Sequence, residues 1–210
     1  MRTLTILGLA LAVTAANAEV IIGNLPSNDG TQAAGVSTLR MKALGFTMGG
    51  SNYFLQSITL RLAFTASWVD NNPVVTLRAA GANATTPGEV IETLSGPGGY
   101  SANTVGDFTF NSVANTELLA NTLYYVHVAG SPNATVTTGL DWKASSPAVT
   151  PTGPGATHTS SLFTSNGGTT HTNSSILNSY EINANPVPEP GTIAALGLGA
   201  LVLLRRRNRK

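Results

Sequence analysis

From Ser57 to Phe64 the chain alternates: Ile58, Leu60, Leu62 and Phe64 are apolar, while Thr59, Arg61 and Ala63 are polar or small. Period two sends successive side chains to opposite faces, which predicts a strand with one face in a core and the other toward water. The pattern recurs. Leu39 to Phe46 and Val74 to Ala80 read as strands, the first followed by a turn at Gly49–Asn52 and the second preceded by Asp70-Asn71-Asn72-Pro73. Glu89–Leu94 is closed by Gly96-Pro97-Gly98-Gly99, and Phe108 and Phe110 share a face. Leu123–Val128, Thr135–Trp142 and Ile176–Ile182 complete the set. No stretch of this body shows helical periodicity. Short strands between Gly, Pro and Asn turns predict an all-β fold, an antiparallel β-sandwich of jelly-roll-like form. Residues 144–175 carry few apolar side chains beyond Leu162 and Phe163 and read as a long loop or a weakly packed edge.

Composition narrows the function classes. Thr, Ser and Asn supply 63 of 210 residues, and only 10% are charged. That is too little Lys and Glu for a coiled coil or a helical bundle. With no cysteine, a disulfide scaffold, a Cys-based metal site and a thiol nucleophile are excluded.

The two ends differ from the body. Arg2, the apolar run Leu4–Val13 and Ala16-Asn17-Ala18 have the order of a secretory signal, because signal peptidase admits only small side chains before its cut. Cleavage is expected between Ala18 and Glu19, making residues 1–18 a signal peptide. At the other end Pro188-Glu189-Pro190 precedes an uncharged stretch, 192–204, and then the basic run Arg205-Arg206-Arg207-Asn208-Arg209-Lys210. Thirteen helical residues extend roughly 20 Å, short of the ~30 Å hydrocarbon core, so the stretch is a short transmembrane helix by this reading. Its basic end, 205–210, would stay cytoplasmic.

Between the ends, residues 19–190 keep five bases against ten acids, a net charge of −5. A mildly acidic body without basic clusters argues against nucleic-acid binding. Three histidines, His127, His158 and His171, form no close ligand pair, no Gly-x-Ser-x-Gly elbow is present, and Glu89 and Glu92 face opposite sides of one strand. We therefore expect no catalytic residue, no resident metal and no cofactor. The Asp70-Asn71-Asn72 turn offers oxygen ligands that suit calcium, but an Asx turn before Pro73 explains it more simply. Among the aromatic residues, Trp68 and Trp142 lie near turns and are the candidates for stacking on sugar.

Pro188-Glu189-Pro190, an apolar helix and a terminal Arg cluster, in that order, resemble the PEP-CTERM sorting signal of Gram-negative bacteria. The resemblance implies that residues 184–210 are a sorting tail recognised by an exosortase, a membrane-embedded transpeptidase. Pro188, Glu189, Pro190, Arg205, Arg206 and Arg207 would be features of its substrate. It implies passage through the inner membrane, anchored by the helix, to the cell surface or the extracellular matrix. Ala43-Leu44-Gly45-Phe46-Thr47, Tyr53–Leu62, Thr93–Gly96, Phe108–Phe110, Leu118–Tyr125 and Trp142 together resemble the choice-of-anchor R domain over most of residues 30–182, within an expected body of residues 19–183. That resemblance carries no activity and no catalytic residues. The expected function is that of a non-catalytic exported surface or matrix protein. The alternatives are a carbohydrate-binding module contacting extracellular polysaccharide and, behind it, a secreted hydrolase.

Overall fold

The computed structural model describes residues 17–25, 32–134 and 138–188. Within them the chain is all-β, without a helix, and its strands form two antiparallel sheets. The first sheet holds β1 (Glu19–Gly23), β2 (Gln32–Val36), β4 (Tyr53–Phe64), β7 (Thr104–Asn111), β8 (Glu117–Leu118), β10 (Leu140–Ala144) and β13 (Tyr180–Pro186). The second holds β3 (Met41–Met48), β5 (Pro73–Ala80), β6 (Pro87–Thr93), β9 (Leu123–Gly130), β11 (Ala156–Thr164) and β12 (Thr172–Asn173), in the order β12-β11-β3-β9-β5-β6.

The alternating segment found first in the sequence is β4, the longest strand, and it organises its sheet. Ile58, Leu60, Leu62 and Phe64 are buried, while Thr59 and Arg61 lie on the opposite, outer face. On that face Thr59 and Thr109 share a hydrogen bond and Arg61 grips Asp107 through two, at 2.8 and 2.9 Å. One side of β4 pairs with β7 and β8. Its other side is shared end to end by β13 (against residues 53–60) and β10 (against 62–64). Strand β1 then adds to β13, and β2 to β10.

The inner faces of both sheets feed one hydrophobic cluster, from Ile58, Leu60 and Trp142 on the first to Leu44, Phe46, Val126 and Val128 on the second. A β-sheet hides an apolar face by laying it on another, and this cluster is the result. Gly45 sits on the outer face of β3, where a Cβ would come within 2.9 Å of the Tyr125 ring and 2.5 Å of Ser160 Oγ. Only glycine leaves room for the Tyr125 ring over β3, beside a bulge in β11 between His158 and Ser160.

Three expectations are corrected here. Residues 144–175 are no loop throughout, because β11 runs through them and pairs along the whole of β3. Its alternation is built from Thr, Ser and His rather than aliphatic residues, so a hydropathy pattern does not reveal it. Strand β3 starts at Met41, since Ser37 and Arg40 close a tight turn through Ser37 N–H to Arg40 O at 2.7 Å. Strand β13 starts at Tyr180, because Asn178 and Ser179 serve the junction between β10 and β13.

Candidate functional site

The place where the tail leaves the body is built by the ends of three strands. Strand β13 stops at Pro186, Val187 N–H donates to Asn52 O at 3.0 Å, and Pro188 is exposed. Strand β1 begins at Glu19, which pairs with Ala184 two residues before Pro186. The expected mature N-terminus and the expected exit of the sorting tail thus lie on neighbouring strands. Tyr53 stands opposite Pro186, and burial, with a hydrogen bond to Glu19 behind it, pushes its phenol pKa up. Ala18, beside Glu19, is exposed, whereas residues 1–16 with Ala16, Glu189, Pro190, Arg205, Arg206, Arg207 and the expected helix 192–204 lie outside the described residues. Among those described, no helix is long and apolar enough to cross a membrane.

The two tryptophans fare differently. Trp142 is fully buried, and this corrects its assignment as a sugar contact. Strand β10 alternates inward at Leu140, Trp142 and Ala144, and the indole Nε1–H donates to Ser179 O at 2.8 Å. Trp68 is partly covered. It packs edge-on to Phe64, with ring centroids 5.4 Å apart, and its Nε1–H donates to Asn71 O at 3.0 Å. Tyr100 and Phe108 close the same aromatic group around Phe64. Tyr53, Tyr124 and Tyr125 are buried as well, Tyr125 in the smaller cluster outside the second sheet, and these rings form no exposed row. The Asp70–Asn72 turn points its middle side chain inward, where Asn71 is fully buried and donates from Nδ2 to Val36 O.

Glu92 is a buried carboxylate that sequence reading left without a role. It accepts hydrogen bonds from Ser112 Oγ, Thr116 Oγ1 and the backbone N–H groups of Val113 and Ala114. Burial pushes its pKa up, but the bonds from Thr116, Ala114, Val113 and Ser112 outweigh that and leave it below the usual carboxylate value. The group ties edge strand β6 of one sheet to the β7–β8 connection of the other. Glu92→Ala is expected to lower stability by about 2 kcal/mol, because four donors, on partly covered and exposed residues, lose a charged acceptor that only water can replace. Urea unfolding at pH 7 measures this. An effect within about 0.5 kcal/mol, the size of an ordinary surface substitution, would show that the ring of donors is not a tie.

His127 and His171 lie together on the outer face of the second sheet, whereas His158 pairs with Phe46 on β3 and shares its inward face. His127 is on the face opposite Val126 and Val128 and is buried there. The His171 ring lies 6.5 Å from it. Desolvation, then the charges of Arg78 and His171, lower its pKa to about 3. His158 Nε2 lies 3.4 Å from Ser161 Oγ, yet its Nδ1 is buried without a partner, so the carboxylate that would orient a Ser–His pair is absent among the described residues.

An open cleft of about 470 Å³ lies where the end of β3 meets β2 and the 173–176 segment. Arg40 and Lys42 line it, with Phe163 and the hydroxyl side chains of Thr164, Ser165 and Ser174. No acid lines it. Sequence reasoning missed this cleft, although one signal for it was present. Lys42 has the same parity as Leu44, Phe46 and Met48, so a lysine occupies an inward position of β3.

Against known families, residues 186–210 match the model of the PEP-CTERM protein-sorting motif. The match begins at the last residue of β13, where the body ends. A search of curated proteins finds no match to the chain.

Proposed function

We propose that the chain is a non-catalytic surface or matrix protein, exported from a Gram-negative cell and sorted by an exosortase through its tail. The sorting-motif match at residues 186–210 carries this reading. It agrees with the described strands, the last of which ends at Pro186, so that cutting near Pro188–Pro190 removes none of them. The signal peptide (1–18), the membrane helix (192–204) and the inner-membrane intermediate belong to the same proposal. The body we take to be a jelly-roll-like sandwich of the choice-of-anchor R kind. In support, the segments that carry the resemblance fall on the strands that build the core: Ala43–Thr47 in β3, Tyr53–Leu62 in β4, Phe108–Phe110 in β7 and Trp142 in β10.

Replacing Pro188-Glu189-Pro190 by three alanines tests the sorting step in the native host. The expected result is an unprocessed chain that stays with the inner membrane, while the parent chain reaches the outer surface. Equal surface display of both would remove the sorting signal from the account.

A further inference from the structure

We propose that the cleft between β3, β2 and the 173–176 segment binds a carboxylated polysaccharide, its uronate group held by Arg40 and Lys42 and its ring face laid on Phe163. The exported body carries five bases against ten acids, yet two of those five line one cleft that no acid among the described residues enters. Among the described residues the ion pair formed is Arg61 with Asp107, and neither Arg40 nor Lys42 meets a carboxylate. Burying a cation without a counter-charge is costly, and proteins ordinarily pair such groups. Lys42 is only 3% exposed, and its Nζ is met by the neutral Ser174 Oγ at 2.7 Å. Burial lowers the ammonium pKa to about 8. A bound carboxylate would supply that missing charge.

The shape of the cleft agrees with its charge. Phe163 is a large aromatic left 39% exposed, at the cleft wall, with Lys42 Nζ 6.0 Å from its ring centroid. A ring beside paired cations accepts the apolar face of a sugar whose acid group turns toward the cations. The hydroxyl and amide side chains around it, such as Thr164 and Asn173, match a partner rich in hydroxyls. Arg40 is set in place by its turn, with its N–H donating to Ser37 Oγ at 3.0 Å. The choice of an extracellular polysaccharide rests on the proposed surface location, whereas the anion site rests on the cleft alone.

Calorimetric titration of the full chain with tetragalacturonate, its methyl ester and a tetraglutamate peptide tests the proposal. The uronate is expected to bind and the ester is not. Arg40→Gln, at an exposed position, is expected to weaken uronate binding about 10-fold, the equivalent of about 1.4 kcal/mol. Lys42→Met is expected to weaken it further, with thermal melts confirming that the variant is folded. No uronate binding, equal binding of the ester, or unchanged affinity in Arg40→Gln would overturn the site. Equal binding of the peptide would overturn the polysaccharide assignment. Uronate binding by a chain that keeps its tail in the host would support the cleft and count against exosortase sorting, so the two readings fail separately.

Discussion

Acidification from pH 7 to pH 3 is expected to remove up to about 5 kcal/mol of stability through His127 alone. Its folded pKa is lowered to about 3, from an ordinary 6.5, by burial and then by Arg78 and His171. A histidine kept neutral by the fold contributes nothing above pH 6.5, where both states are neutral. Below 6.5 the unfolded chain takes up a proton that the folded chain refuses, so stability falls as pH falls, down to about 3. At ~1.4 kcal/mol per pH unit, about 2 kcal/mol is gone by pH 5. His158 and His171 are shifted the same way by desolvation and act in the same sense. The lowered pKa of Glu92 adds a further loss once pH drops below its unfolded value, near 4.5. A domain of this size has roughly 5–15 kcal/mol in total, so unfolding near pH 3 is the expected result. Urea midpoints at pH 7, 5 and 3.5 measure the slope, and His127→Gln is expected to flatten it. An imidazole signal of His127 titrating near 6.5 in the folded protein would contradict the account.

Trp142→Ala is expected to lower stability by about 4 kcal/mol, and the melting temperature by on the order of 10 °C. The indole is fully enclosed and lies on β10, between β2 and β4. Its backbone carbonyl accepts from Asn178 Nδ2 at 2.7 Å, and its Nε1–H reaches Ser179 O. Removing the ring leaves a cavity at the point where β10 and β13 meet along one side of β4. Trp142→Phe keeps most of the apolar volume and loses one hydrogen bond, so a cost of about 1–2 kcal/mol is expected. Equal stability of Trp142→Ala and the parent in calorimetry would mean that the ring does not fill the core.

The sequence disclosed some of this architecture and hid the rest for identifiable reasons. Strands with aliphatic alternation, such as β4, β5 and β9, are legible because burial on one face demands period two. Strand β11 is not, since its pairing with β3 is carried by backbone bonds and its side chains are mostly hydroxyls. Trp142 reads as an exposed edge because the segment that covers it, Asn178 and Ser179, arrives 36 and 37 residues later. Long-range contacts of that kind leave no local periodicity. The cleft sits between these cases. Its lysine could be read from parity on β3, but Phe163 and Ser174 join it only after β11 has folded beside β3. The sorting tail was legible throughout, because a processing enzyme reads local order rather than tertiary packing.

The most direct test of the central claim is the mass of the mature protein purified from its native host, with its terminal peptides mapped. The account predicts a chain that starts at Glu19, ends near Pro188–Pro190 and lacks Arg205–Lys210, any remaining mass reporting what the transpeptidation attached. A mature chain that retains its tail through Lys210 would contradict it.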